Sequence, residues 1–203
     1  MTTPPVPYRS RNNGDLITAD DWNEIQIESR KELYNRGVRY AEAVQSGAPV
    51  DDGGVPVLRY SVDSADAWAA VPGLRVSVVL PVACLVELSV VGLAKYDLAM
   101  LFFVEDNGRG LRAPTRLPPG VLAGAGFDAA AGWPERIAAL AQLVAGGTSP
   151  RALSQRPVSG TSQLLRMTDR LVVPAGDYTF TLECCGSGDV TNALLQLTAT
   201  PTV

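Results

Sequence analysis

Histidine is absent, lysine occurs only at Lys31 and Lys95, and cysteine only at Cys84, Cys184 and Cys185. Without an imidazole the chain can assemble no Ser-His-Asp or Cys-His nucleophile and no histidine metal site. Lys31 falls on an expected exposed helix and Lys95 in an expected turn, which leaves little support for Ser-Lys or Schiff-base chemistry. Adjacent Cys184 and Cys185 point to opposite faces of a strand, so they do not grip one metal ion together. Three cysteines make no disulfide framework. Buried thiols are expected, with a Cys84–Cys184 bridge open if their strands adjoin. Asp51 and Asp52 lack the ligand spacing of a calcium loop. Gly108-x-Gly110 and the Gly124/Gly126 pair precede no phosphate-binding motif. Carboxylates at Asp63, Asp66, Glu105 and Asp106, all near strand ends, are the remaining route to hydrolysis. The expectation is therefore no enzyme, no cofactor and no metal.

Charge is also sparse. Charged residues make up 19% of the 203-residue chain and hydrophobic ones 46%, the balance of a globular protein. The net charge of −4 gives nucleic-acid binding no electrostatic basis. One stretch runs the other way: Arg109 to Arg170 holds eight arginines against Asp128, Glu135 and Asp169. It reads as a solvated surface or as a contact for an acidic partner. Met1-Thr2-Thr3-Pro4-Pro5 has neither the basic start nor the apolar core of a signal peptide. The apolar run Val76–Ala94 is interrupted by Pro81 and Glu87 and alternates with period two, so sheet strands account for it better than membrane insertion.

What is present divides into three parts. Residues 1–46 combine a Pro-rich arm with a helix expected at Ala19–Arg36. Thr18 caps it, acidic Asp20, Asp21, Glu24 and Glu28 come first, and Arg30, Lys31 and Arg36 follow, as the helix dipole favours. Trp22, Ile25, Ser29 and Leu33 form a narrow stripe. A short parallel bundle between identical chains fits that stripe, and a helix lying on its own sheet is the other reading. Gly37 ends the helix or marks a weak point before Val38–Gln45. Residues 47–54, rich in Gly and Asp, read as a linker.

From residue 55 to 203 the period switches to two. Leu58–Val62, Leu74–Leu80, Cys84–Val90, Tyr178–Cys184 and Ala193–Ala199 alternate, and Tyr96–Val104 is apolar on both faces like a central strand. No helices interleave them, which argues for an antiparallel β-sandwich or jelly roll. The Gly-, Pro- and Ala-rich insertion 105–160 carries an expected helix from Pro134 to about Val144, stopped by Gly146. Trp133 and the nearby Arg109, Arg112 and Arg116 are the candidate exposed contacts of that insertion. Trp68 reads as core or sheet-edge packing ahead of a sugar platform.

Two stretches carry a resemblance. Asn13-Gly14-Asp15-Leu16-Ile17-Thr18-Ala19-Asp20-Asp21-Trp22-Asn23-Glu24-Ile25 resembles the N-terminal signature of tail-fibre and baseplate-attached proteins of phages and contractile injection systems. Trp68 to Leu74 and Val173-Pro174-Ala175-Gly176-Asp177-Tyr178-Thr179-Phe180 resemble trimeric jelly-roll heads of phage fibres, from which the 105–160 insertion departs. The resemblance implies a mainly β, non-enzymatic structural component of a phage-like particle: a homotrimeric tail fibre or appendage. Residues 1–25 would join other tail or baseplate proteins, and Trp22, Ile25, Ser29 and Leu33 would form the oligomer interface. The β head would contact a cell-surface glycan or protein through Trp133, Arg109, Arg112 and Arg116. It implies assembly in the cytoplasm into a virion or phage tail-like particle. The alternatives are a collar, baseplate or decorating protein that only stabilises the particle, or a stand-alone carbohydrate-binding β domain.

Overall fold

The computed structural model describes residues 26–27, 37–116, 133–146, 156–158 and 163–202. Trp22, Ile25, Ser29 and Leu33, and all but Gln26 and Ile27 of the expected helix, lie outside them. The elements are β1 (Arg39–Val44), β2 (Pro49–Asp51), β3 (Pro56–Leu80), β4 (Cys84–Asp106), β5 (Leu111–Pro114), α1 (Trp133–Ala145), β6 (Arg156–Val158), β7 (Gln163–Val173) and β8 (Gly176–Pro201). The chain is mainly β and every described strand pair is antiparallel.

β4 and β8 form the spine. They pair along nearly their whole length, Cys84 opposite Pro201 and Asp106 opposite Tyr178. The far side of β8 takes β3 along Gly176–Thr191 and β1 along Leu194–Ala199. The far side of β4 takes β7, β6 and β5 in turn. One continuous sheet results, but it is not flat. Leu88 and Phe102, fourteen residues apart on β4, would be separated by about 46 Å in a straight strand. Yet Thr115, whose N–H bonds to the Phe102 carbonyl, donates its hydroxyl to Asp169, which stands opposite Leu88. Ser46, just past β1, likewise donates its N–H to Pro72 of β3 at 2.9 Å. The sheet folds back on itself into a sandwich-like body, with its apolar faces turned inward.

A bulge in β8 makes that possible. Buried Tyr178, Phe180, Leu182 and Cys184 occupy even positions, whereas buried Leu195, Leu197 and Ala199 occupy odd ones. The β4–β8 register slips by one residue between Val91 and Leu93, and Asn192 sits there with φ of 48°. One extra residue in the left-handed region flips the strand's inward face. Buried Gln45 patches the gap: its Nε2 donates to Val190 O at 3.0 Å and its Oε1 accepts from Ala193 N at 3.0 Å. Further along, Gly186 has φ of +113°, and a Cβ there would lie 2.1 Å from Asp97 O. Only glycine lets β8 pass β4 that closely.

Several expectations are corrected. The separate alternating segments merge into three long strands, because bulges and glycines bend a strand without ending it. Arg39–Val44 pairs with β8 and so joins the β body, which begins at Val38 and not at residue 55. Residues 47–54 hold β2 and its turn into β3, with Gly53 and Gly54 at positive φ, rather than a free linker. Lys95 lies in β4 opposite Asp189, not in a turn. The three cysteines are free and buried: Cys84 faces Val173 and Pro201 while Cys184 faces Ala69 and Met100, so no bridge forms. Burial pushes the Cys184 thiol up to about 12, which leaves it unreactive. The insertion contributes β5, α1 and β6 to the described residues.

Candidate binding grooves

Among the polar clusters of the described residues, three bear on binding. The first is Asp106, buried at the end of β4. Arg109 donates to it from its backbone N–H at 3.1 Å and from Nη1 at 2.7 Å, and Trp133 Nε1 donates at 3.1 Å. Burial alone would raise this carboxyl, but the bonds from Trp133 and Arg109 hold it below the usual carboxylate range. The Trp133 ring meets Tyr178 edge-on at 5.8 Å, and Ile137 and Leu140 of α1 are buried beside it. α1 begins with Trp133-Pro134-Glu135 and closes at Gly146, whose N–H bonds to Gln142 O. Trp133 and Arg109, expected as exposed contacts, thus converge on Asp106: Arg109 remains exposed, and half-buried Trp133 pins α1 to the body.

The second place is a groove of about 620 Å³. Its floor follows from the register of the outer face. Tyr40, Thr198, Glu87 and Arg170 form one cross-strand row, and Gln196, Ser89 and Thr168 form the next. Arg116, just after β5, and Arg136 of α1 add to the lining, with Thr115, Leu88 and buried Asp169 behind them. Arg170 pairs with Glu87, an exposed pair that contributes little to stability. Arg116 and Arg136 have no ion-pair partner among the described residues. The groove therefore offers the Arg116 and Arg136 guanidinium donors beside hydroxyls and an amide, and three arginines against the Glu87 and Asp169 carboxylates leave it a small positive excess, which favours carboxylate or phosphate oxygens.

The third is a smaller groove of about 290 Å³, lined by Trp68, Phe103, Arg112, Glu183, Arg75 and Glu105 among others. It opens where β3 loses register with β8 on either side of Ala69–Ala70. Trp68 leans edge-on over Phe103 at 5.6 Å, and the Arg112 guanidinium lies 4.3 Å from the Phe103 ring centre. Arg112 also pairs with buried Glu183.

Of the four expected contacts, the structure puts Arg116 in the large groove, Arg112 in the small one, and Trp133 and Arg109 together at Asp106. Arg136, Arg170, Tyr40 and Glu183 escaped the sequence reading. Glu183 alternates with Leu182 as any outward strand residue would, and nothing in its neighbourhood signals burial. Among the described residues no group of three His, Cys, Asp or Glu side chains is arranged to hold a metal ion. No described helix is long and apolar enough to cross a membrane.

No family model matches this chain, and no curated protein matches it. Among solved structures it is similar to a mutant VP2 protein of infectious bursal disease virus in derived T=1 particles. That alignment has 8% identity over 96% of this chain and 36% of the other, with a TM-score of 0.39. It is also similar to the structure of infectious bursal disease virus Gx strain, at 7% identity over 79% of this chain and 32% of that one, TM-score 0.35. The chain spans about a third of the length of these structures.

Proposed function

We propose that this chain is a structural, non-enzymatic component of a phage-like particle. In this reading it is a homotrimeric tail fibre or appendage, attached through residues 1–25, whose β body meets a cell-surface receptor. The particle assignment is supported by the likeness of Asn13–Ile25 to attachment signatures. The assembly assignment is carried by one observation on the body. Past the polar rows of the large groove, the same outer face carries a run of apolar side chains bordered by Arg166: Val44, Leu194 and Val91 are cross-strand neighbours, Arg166 faces Val91 from β7, and Leu93 stands opposite Leu164. Val44 is 59%, Val91 44%, Leu93 41% and Leu164 65% exposed. Scattered surface hydrophobics are ordinary, but a contiguous set of them marks a contact surface. A second copy of the chain covers these side chains, and the arginine-lined groove at the polar end stays available to an anionic receptor group.

Light scattering tests this. The full chain is expected to have the mass of a trimer, and Leu164→Asp to shift it towards monomer by placing a charge in the contact. A truncation lacking residues 1–37 reports how much of the assembly the β body supports alone. A full-length chain that remains monomeric at all concentrations refutes the trimer, and an unchanged mass in Leu164→Asp refutes this face as its interface.

A further inference from the structure

Two residues that line the small groove carry buried polar atoms left without a partner among the described residues. Glu183 is 3% exposed; its Oε1 is engaged by Arg112 and by the Thr181 hydroxyl at 3.2 Å, while its Oε2 is buried with no hydrogen-bond partner. Trp68 Nε1 is likewise buried and unpartnered. An orphaned buried donor or acceptor is costly, so two of them on residues that line one groove call for an occupant. The occupant has to donate to a carboxylate oxygen and accept from an indole N–H. A hydroxyl group does both.

Charge and size narrow the class. Arg112 pairs with Glu183, and Arg75 with Glu105 at 3.5 Å, so the lining is balanced and asks for no ligand charge. A groove of about 290 Å³ has room for roughly ten waters at ~30 Å³ each, the scale of one ring rather than an extended chain. Trp68 and Phe103 supply an apolar wall for C–H groups. Arg112, its side chain 45% exposed, reaches from Glu183 across the face of Phe103. We propose that this groove binds a single neutral pyranose ring, one sugar unit of a glycan. Hydroxyls of the ring would bond Glu183 Oε2 and Trp68 Nε1 as the side chains over them open, with Arg112 keeping its pair with Glu183 Oε1. The site goes beyond the particle reading and does not depend on assembly.

The probes are methyl glycosides of glucose, galactose, mannose and N-acetylglucosamine, titrated into the ¹⁵N-labelled full chain. The chain has three tryptophans, so three indole N–H signals report, and Trp68→Phe assigns the relevant one. At least one glycoside is expected to shift the Trp68 signal saturably in the millimolar range and leave Trp22 and Trp133 in place. Ligand-observed saturation transfer is expected to show that Trp68→Phe weakens that glycoside about three- to tenfold, the value of one hydrogen bond. Glu183→Gln, which keeps the side chain's size, weakens it similarly. The proposal is overturned if no glycoside moves the Trp68 signal up to its solubility limit, or if affinity is unchanged in Trp68→Phe. It is also overturned if butylammonium alone moves that signal, since the groove then takes a cation. None of these outcomes alters the mass measured by light scattering, so failure here is distinct from failure of the trimer.

Discussion

Replacing Gln45 with methionine removes the two bonds that complete the β8 bulge while keeping the side chain's length. Gln45 is 2% exposed, and Val190 and Ala193 are no more accessible, so water cannot take over the freed groups. Gln45→Met strands the Val190 carbonyl and the Ala193 N–H. Each orphaned group costs about 1–3 kcal/mol, so the substitution is expected to cost about 2–6 kcal/mol. The backbone bond from Gln45 N to Ala193 O at 2.8 Å survives and keeps β1 attached. Gln196→Met is the control: Gln196 donates to Tyr40 on the exposed face, and its loss should stay within about 0.5 kcal/mol. Urea unfolding followed by far-UV circular dichroism measures both. Gln45→Glu adds a sharper signature, because it keeps an acceptor for Ala193 and places a charge against the Val190 carbonyl. Its deficit should shrink as acid protonates the new carboxyl. If Gln45→Met costs no more than Gln196→Met, the bulge relaxes to satisfy itself and the reasoning fails.

Two other predictions concern the bend and the α1 dock. Gly186→Ala places a Cβ 2.1 Å from Asp97 O at φ of +113°, whereas Gly110→Ala, at φ of +63°, meets nothing within 4 Å. The second should cost about 1–2 kcal/mol, the left-handed penalty alone, and the first distinctly more; equal losses in thermal unfolding would show that β4 and β8 are not in close approach. Asp106 is depressed below its ordinary 3.8, so its contribution is fully present above about pH 4 and fades as the pH falls through the lower folded value. Asp106→Asn should therefore be less stable at neutral pH and lose less between about pH 4 and pH 2, read from unfolding midpoints across that range; parallel curves for the two proteins would refute the role of Asp106.

Local pattern determined a good deal. Period-two alternation in Leu74–Leu80, Cys84–Val90 and Tyr178–Cys184 named the inward residues, since a strand buried on one face has no other stable pattern. The apolar run Tyr96–Val104 announced the middle of the sheet, where Leu98 to Val104 are all buried. Pro134 and Gly146 bracketed α1 to within a residue at its start. The Val173-Pro174-Ala175-Gly176 step marked where β7 ends and β8 begins. These features depend on neighbours in the chain, and neighbours are what a sequence displays.

Tertiary structure decided the rest. Inward residues shift from even to odd between Cys184 and Leu195, a change a loop explains as well as a bulge does; only pairing with an unbroken β4 makes it one strand. Gln45 is an ordinary polar residue until the folded sheet brings it, 145 positions away in sequence, to the Val190 carbonyl. Arg112, Glu183 and Trp68 share a groove because β5, β8 and an irregular stretch of β3 meet there, and Arg116 joins Arg136 and Arg170 because α1 and β7 lie beside the end of β5. A binding site of this kind is a property of long-range closure. Spacing along the chain carries no record of which strands will bend towards each other.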